Sequence, residues 1–357
     1  MVNHQQALQH ISFFAGNRFD LVQAGGGNTS VKLDDHRMLV KASGINLTEV
    51  TLDNGYVAVD YIFIRTFLSG FSLTKLDKKQ REVVANESMQ SSKLSAKGKP
   101  SIETFLHAML STYTLHTHPV SVNILASQGN WKEALSDIWP NAIFVPYQTP
   151  GIDLAMAMSD ELNAYVVIHG YFPKVVFLQN HGLIVSSNNP TEVIRLTNQV
   201  SMAIEQHLKL DLQRYRNITT LQNLLSQVVT QDTCIICSDD SVITSLIMKE
   251  NKEAAIWPFC PDTLIYCGVR PVLLDSIDDQ TSIQNYVDLY KELPKVLVLN
   301  QQVYFCANSI KKAKEAEELL KFHLLVVSQR PDSIERLTLA EVAYLSNWEA
   351  EKFRQGV

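Results

Sequence analysis

Leu115-His116-Thr117-His118-Pro119 and Gln179-Asn180-His181-Gly182 together carry three histidines around which the rest of the chain can be arranged. Successive side chains of a β-strand point to opposite faces, so His116 and His118 are predicted to share one face, about 7 Å apart. A third imidazole comes from His181, which follows an apolar run at 175–178. Three histidines with an open fourth position are typical of a catalytic zinc site. The alternative is a set of ordinary buried histidines.

Length and composition predict a globular chain of two domains. The 357 residues exceed one average domain, and 46% of them are hydrophobic. The formal net charge of −6 gives no basic surface for nucleic acid. The sequence shows neither an apolar run of membrane-spanning length nor a secretory signal pattern. We therefore expect a cytoplasmic protein without nucleic-acid or membrane partners.

All five cysteines lie in the last third of the chain, which argues against a disulfide framework. Cys234-Ile-Ile-Cys237 has the spacing of a zinc knuckle or a redox pair. No second CxxC and no nearby histidine follow it, so these cysteines are predicted to be small hydrophobic residues.

Two polar loops are candidates for binding an anion. Gly25-Gly26-Gly27-Asn28-Thr29-Ser30 offers backbone N–H groups and polar side chains just before a predicted strand. Ala42-Ser43-Gly44 ends the next strand, and pairing of Val31 with Leu39 predicts an antiparallel hairpin. Both loops together suit a phosphate or carboxylate; the alternative for the first is an ordinary glycine-rich turn.

Pro100-Ser101-Ile102-Glu103 is predicted to open a helix with Ser101 as its N-cap. Glu103 falls in the first turn, where the helix dipole stabilises a carboxylate, and this is a sufficient structural reason for it. The functional alternative is a general base, because the His116 strand begins only about a dozen residues later.

A weak internal repeat indicates a duplicated unit. The segment 173–181 recurs as 294–302, and Gln302 takes the position of His181. A long amphipathic helix is predicted from 190 to about 216. We expect a catalytic domain at 1–228 and a degenerate domain without metal ligands at 229–357.

Five motifs in order resemble the class II aldolase/adducin family over residues 8–215: Gly27-Asn28-Thr29-Ser30, Ala42-Ser43-Gly44, Pro100-Ser101-Ile102-Glu103, His116-Thr117-His118 and Asn180-His181-Gly182. The sequence resembles in particular the aldolase half of bifunctional rhamnulose-1-phosphate aldolase/alcohol dehydrogenases. Their Gly-Gly-Gly-Asn-Thr-Ser, Pro-Ser-x-Glu-Thr and Val-Pro-Tyr-x-x-Pro-Gly segments are similar to those here.

The resemblance implies a three-layer α/β/α domain with a mainly antiparallel central sheet, followed by a smaller degenerate α/β domain. It implies one zinc ion per chain, held by His116, His118 and His181, with Glu103 as the acid/base residue. The implied phosphate-binding residues are Gly27, Asn28, Thr29, Ser43, Gly44 and Ser101. Ile102 replaces a second serine found in simple fuculose-phosphate aldolases, and Ala42 replaces the usual proline. Lys32 and Lys41 are expected to add positive charge.

The implied function is a zinc-dependent aldolase that reversibly cleaves a ketose 1-phosphate, or a related sugar phosphate, through a metal-stabilised enediolate. Alternatives in the family are a sugar-phosphate dehydratase and a 4-epimerase. A non-catalytic adducin-like interaction module is the alternative from another class. Because family members form rings of four, we expect a homo-oligomer, with a tetramer as the family precedent.

Overall fold

A computed structural model describes residues 3–70, 73–228, 233–249, 257–329 and 333–346. The chain divides between Leu212 and Gln213 into two compact units. Among the described residues, none of the helices combines the length and the apolar composition needed to cross a bilayer.

The first unit is built on a seven-stranded sheet. Its strands are β1 (Asn28–Lys32), β2 (Arg37–Lys41), β3 (Tyr56–Asp60), β4 (Tyr113–Thr117), β5 (Ile143–Val145), β6 (Val175–Leu178) and β7 (Gly182–Ser187). They lie in the order β3-β2-β1-β4-β7-β6-β5, and every neighbouring pair is antiparallel except β5 with β6. Val31 lies directly opposite Leu39, so the predicted hairpin is confirmed.

Helices cover both faces of this sheet. They are α1 (His4–Gly16), α2 (Tyr61–Gly70), α3 (Lys78–Ser91), α4 (Thr104–Ala108), α5 (Val120–Ala126), α6 (Trp131–Ile138), α7 (Ile152–His169) and α8 (Pro190–Leu208). Two short 3-10 helices, Leu47–Glu49 and Leu73–Lys75, lie in the connections. Apolar residues of α1, α5, α6 and α8 share one core with Leu115, and those of α2, α3, α4 and α7 share another with Ile184. The predicted three-layer α/β/α architecture is confirmed.

The long helix predicted from 190 to about 216 is two helices. The first ends at Leu208, because Lys209 takes the left-handed conformation at φ 54° and its N–H bonds back to the carbonyls of the last turn. The second, α9 (Gln213–Val228), buries Leu221 and Leu225 in the core of the second unit. The sequence placed the domain boundary at 228/229, whereas α9 packs with the residues that follow it.

The second unit contains a smaller, four-stranded sheet. Its strands are β8 (Cys234–Cys237), β9 (Val272–Leu274), β10 (Val296–Leu299) and β11 (Gln302–Ala307), in the order β8-β11-β10-β9. The remaining helices are α10 (Ser241–Lys249), α11 (Pro261–Cys267), α12 (Gln280–Tyr290), α13 (Ile310–Gln329) and α14 (Leu339–Ser346). All five cysteines are free thiols, as predicted, and three of them are buried.

The second sheet repeats the arrangement of β4, β7, β6 and β5 in strand order and strand direction. The turns differ, however. Leu178 pairs with Gly182 across a three-residue turn, whereas Leu299 pairs with Gln302 across two residues with positive φ, the geometry of a tight hairpin. Gln302 therefore takes the place of Gly182. The predicted equivalence of Gln302 with His181 is wrong, because the shorter turn has no counterpart of His181.

Candidate metal centre

Four side chains converge at the end of β4: Glu103, His116, His118 and His181. Their ligand atoms all lie within 4.8 Å of one another. The Nε2 atom of His116 is 3.0 Å from Nε2 of His118 and 3.3 Å from Nε2 of His181. Oε1 of Glu103 is 3.3 Å from Nε2 of His116 and 3.2 Å from Nε2 of His181. The structure thus brings the three predicted histidines and the predicted acid together.

His116 is fixed by the sheet itself. It lies fully buried on β4, between Asn28 of β1 and Ile184 of β7. Its Nδ1 is 3.0 Å from the carbonyl oxygen of Leu183, which can only accept a hydrogen bond. Nδ1 therefore carries a proton, and Nε2 is the ring atom that faces the cluster.

His118 reaches the cluster in a different way. Strand β4 ends at Thr117, so the prediction that both histidines project from one strand face is wrong for His118. Its backbone N–H instead donates to the carbonyl of Leu21 at 2.8 Å, so His118 is held by the loop before β1 and not by a neighbouring strand. The ring of His118 then meets the ring of His116 edge-on, at an interplanar angle of 72°.

Glu103 is the N-cap of α4, and the prediction that Ser101 caps this helix is wrong. The hydroxyl of Ser101 accepts the N–H of Glu103 at 3.3 Å, and the backbone carbonyl of Ser101 bonds Thr104, which places the helix start two residues later. The Glu103 carboxylate makes no capping bond and points at the histidines. The carboxylate therefore does not cap the helix by a hydrogen bond.

The charges within the cluster are strongly coupled. Burial by itself raises the pKa of Glu103, but the attraction and hydrogen bonds of His116 and His181 outweigh it, so this pKa lies well below its usual range. Burial, and after it the charges of the neighbouring imidazoles, lower the pKa of His118 to about 3. His118 is consequently neutral near pH 7, and neutral imidazole is the form that binds a metal.

The donor set fits a divalent cation. Around a tetrahedral zinc ion with Zn–N bonds of about 2.0–2.1 Å, neighbouring ligand atoms lie about 3.3 Å apart. The separations between Nε2 of His116 and its three neighbours, 3.0 to 3.3 Å, agree with this value. The sequence left the fourth position open, whereas the structure places the Glu103 carboxylate close enough to occupy it.

The predicted anion-binding residues of the first loop do not all face the cluster. Asn28 lies directly opposite His116, and its Nδ2 has no hydrogen-bond partner among the described residues. Thr29 points to the opposite face of the sheet, where its hydroxyl lies 2.6 Å from the hydroxyl of Ser12. Gly27 has φ +75°, and a Cβ atom there would lie 3.0 Å from the carbonyl oxygen of His116.

The second predicted loop lies beside the start of α4. The N–H of Ser43 donates to the carbonyl of Lys99 at 2.8 Å, and Ala42 bridges to Pro100. Ser43, Gly44 and Ser101 therefore belong to two adjacent loops, and Ser43 and Gly44 are exposed.

The two predicted lysines both donate to backbone carbonyls, and the charge of Lys41 also acts on the Glu103 carboxylate. Lys32 donates to the carbonyls of Ala108 and Leu110 at the end of α4, and Lys41 donates to the carbonyl of Ile45 at 2.6 Å. Lys41 therefore adds positive charge near the cluster, and a contribution of either lysine to phosphate binding stays a prediction.

Sequence reasoning missed a polar row beneath the cluster. His107, fully buried one turn after Glu103 on α4, has its Nδ1 2.8 Å from the hydroxyl of Ser30. Thr114 lies opposite both Ser30 and Ser186 on this face. Among the described residues, Nε2 of His107 and the hydroxyls of Thr114 and Ser186 have no partner. The spacing of Glu103 and His107 was the available signal, because residues four apart share a helix face.

The second unit has no copy of the cluster among its described residues. Cys237 pairs with Tyr304 as His116 pairs with Ile184, so Cys237 takes the position of His116. Asp239 follows two residues later, as His118 does, and is bound by the guanidinium of Arg214 at 3.1 Å. Burial raises the pKa of Cys237 to about 12, which keeps the thiol protonated. The guanidinium group of Arg214 thus binds the residue that takes the position of His118.

Comparisons with known proteins agree with this geometry. The family described as "Class II Aldolase and Adducin N-terminal domain" matches residues 12–208. A curated protein of Bacillus subtilis (strain 168), named "Uncharacterized oxidoreductase YuxG", is 24% identical over 344 residues, covering 85% of this chain and 47% of its own. The chain spans about half the length of this relative.

Two solved structures are similar to part of the chain. The N-terminal class II aldolase domain of a conserved Thermoplasma acidophilum protein is 22% identical, with a TM-score of 0.49, over 58% of this chain and 95% of that one. A sugar-phosphate aldolase from Thermotoga maritima is 16% identical, with a TM-score of 0.42, over 58% and 94% respectively.

Proposed function

The chain belongs to the class II aldolase and adducin family, and from that premise we propose that it is a zinc-dependent aldehyde-lyase. The reaction is the reversible aldol cleavage of a ketose 1-phosphate or a related sugar phosphate. The observation that carries the proposal is the Glu103 carboxylate, 3.2 and 3.3 Å from two of three converging imidazole nitrogens. The curated relative is named an oxidoreductase and is about twice as long as the part that this chain matches. This supports the proposal that the chain is related to the aldolase half of an aldolase/dehydrogenase fusion.

His116, His118 and His181 would hold one zinc ion per chain. When bound, the metal supplies Lewis-acid polarisation of the carbonyl and hydroxyl oxygens of the substrate. The hydrogen bond from Nδ1 of His116 to Leu183 keeps that ring in the tautomer that can serve as a ligand.

Glu103 moves the proton in this proposal. Aldol cleavage leaves a carbon that must gain a proton, and the reverse reaction must remove that proton. The group that does this has to lie within about 3 Å of the proton or one water away. Glu103 is the carboxylate of the cluster, and its side chain is 13% exposed, so it borders both the imidazoles and solvent.

The phosphate end of the substrate is proposed to contact Asn28, Ser43, Gly44 and Ser101. Support comes from the unpartnered Nδ2 of Asn28 beside His116 and from the adjacency of the loops that carry the other three. We do not assign the side chain of Thr29 to this subsite, because its hydroxyl is engaged with Ser12 on the other face.

The test is a retro-aldol screen of ketose 1-phosphates, read out with an enzyme that consumes dihydroxyacetone phosphate, with and without a chelator. We expect Glu103→Gln to lower kcat by about 10²–10⁴-fold, the usual contribution of a positioned acid/base group, while zinc stays bound. The matched control is Glu87→Gln, an exposed glutamate on α3. A fully active Glu103→Gln variant contradicts the proposal.

Metal analysis separates this proposal from the adducin-like alternative. We expect about one zinc per purified chain. A folded protein that binds no zinc and cleaves no sugar phosphate would indicate an interaction module. Zinc binding with a 4-epimerised or dehydrated product would keep the metal centre and replace the aldolase assignment by one of the related reactions.

A further inference from the structure

A side chain added at Gly26 would meet the metal centre, whereas one added at Gly25 would not. A Cβ atom on Gly26 would lie 2.8 Å from Nδ1 and 3.0 Å from Cε1 of the His118 ring. On Gly25, the nearest atom would be Oδ1 of Asn46 at 3.8 Å, which is ordinary contact. Of these two neighbouring positions, only Gly26 is one where a side chain would collide with a histidine of the cluster.

His118 depends on such contacts more than His116 does. It lies beyond the end of β4, and its Nδ1 has no hydrogen-bond partner among the described residues, whereas Nδ1 of His116 is held by Leu183. The ring of His118 lies between two glycines, because a Cβ atom on Gly182 would be 3.2 Å from its Cδ2. Steric confinement therefore fixes the orientation of this ring.

We propose that Gly26 is a positioning residue for the metal centre, because its missing side chain lets the His118 ring turn Nε2 into the cluster. This role rests on the proposed function, since it matters only if the cluster holds a metal. It gives the glycine loop a purpose other than the predicted anion cradle.

Adding a methyl group at position 26 forces a displacement. Carbon atoms do not approach an imidazole nitrogen to 2.8 Å, and the carbonyl of Gln23, 3.0 Å from the same Cβ position, blocks retreat of the methyl group to the other side. The ring of His118 must rotate or the loop must shift. Metal–ligand distances in proteins lie within about 0.2 Å of their usual values, so either movement is expected to weaken binding.

The experiment compares Gly26→Ala with Gly25→Ala in the full chain. Both substitutions add one methyl group to neighbouring residues of the same loop, but only the first meets the ring. Zn²⁺ and Co²⁺ affinities are measured by competition with a chromophoric chelator, and the visible spectrum of the Co²⁺ form reports the ligand geometry. We expect Gly26→Ala to bind about 10–100-fold more weakly, as when support of a ligand is lost, with an altered Co²⁺ spectrum. Gly25→Ala should match the wild type.

The outcomes distinguish this role from the proposed function. If the wild-type chain binds metal and Gly26→Ala binds it equally well with the same spectrum, the positioning role is refuted and the proposed function stands. If the wild-type chain binds no metal, both fail.

A second variant separates the ring contact from a general loss of folding. His118→Ala removes the ring, so Gly26→Ala in that background adds a methyl group that meets no imidazole. We expect Gly26→Ala to lower the thermal unfolding midpoint of the metal-free wild type, and to lower that of His118→Ala by much less. Equal losses in both backgrounds would overturn the proposal.

Discussion

The buried ion pair between Arg18 and Asp20 supports the loop that holds His118, and breaking it gives a quantitative test. Both side chains are 1% exposed. The guanidinium donates twice to the Asp20 carboxylate, once at 3.0 Å from Nε, and Nη1 donates to Asn198 of α8 at 2.5 Å. Asp20→Asn keeps the shape of the side chain and removes its charge.

The expected loss is large because the guanidinium stays buried without its counter-ion. Removing one partner of a buried pair costs about 3–5 kcal/mol. Since a typical domain has a free energy of unfolding of about 5–15 kcal/mol, this loss is a substantial part of the total. The double variant Arg18→Met/Asp20→Leu removes both charges and should recover most of the stability.

Urea unfolding followed by tryptophan fluorescence measures the loss, since Trp131 and Trp139 both lie in the first unit. The matched control is Asp34→Asn. Its partner Arg37 lies at 2.7 Å, but the two side chains are 59% and 42% exposed, so water screens the pair and little stability should be lost. Equal effects of Asp20→Asn and Asp34→Asn would refute the reasoning.

The same substitution also tests the link to the metal centre. The carbonyl of Asp20 accepts the N–H of Val120 at 2.9 Å, and the carbonyl of Leu21 accepts the N–H of His118 at 2.8 Å. A shifted loop should therefore weaken zinc binding as well as folding. Unchanged zinc affinity in a destabilised Asp20→Asn protein would show that this loop does not set the position of His118.

Three further outcomes are expected. Thr114→Val should raise the free energy of unfolding by about 1–3 kcal/mol in urea titrations, because it removes a buried hydroxyl without a partner; a decrease would indicate a bound water there. Burial lowers the pKa of Lys32 to about 8, below its unfolded value, so the unfolded chain binds more protons between pH 8 and about 10.4. Stability should therefore rise with pH in this range relative to Lys32→Met, and parallel pH profiles would contradict this. Cys237→Ser should leave the zinc content at about one per chain, while His116→Ala should abolish it; loss of zinc in Cys237→Ser would place a metal in the second unit.

The sheet and the metal cluster could be predicted from the sequence, because both depend on short-range patterns of residues. The pairing of Val31 with Leu39 follows from alternation around a polar turn, and His181 follows a strand of unbroken apolar residues. These patterns place the histidines at strand ends, where side chains of distant segments meet.

The sequence does not predict to which face of the sheet a single residue points, because this depends on strand register. Asn28 and Thr29 are adjacent and equally polar, yet one lies beside His116 and the other beneath α1. Nothing in the sequence states which of two successive residues faces the site, and a slip of one residue exchanges them. His118 was misplaced for a related reason, since the end of β4 is set by a tertiary hydrogen bond to Leu21.

The turn before β11 is one residue shorter than the turn before β7, so the second sheet lacks a position equivalent to His181. Point substitutions can exchange Cys237 or Asp239 for histidine, but no substitution adds the residue that a third ligand would occupy. Inserting one outside the turn would exchange the two faces of β11, whose apolar residues pack into two different cores: Tyr304 and Cys306 into one, Val303 and Phe305 into the other. The shorter turn thus prevents the second sheet from acquiring a counterpart of His181 by point substitution alone.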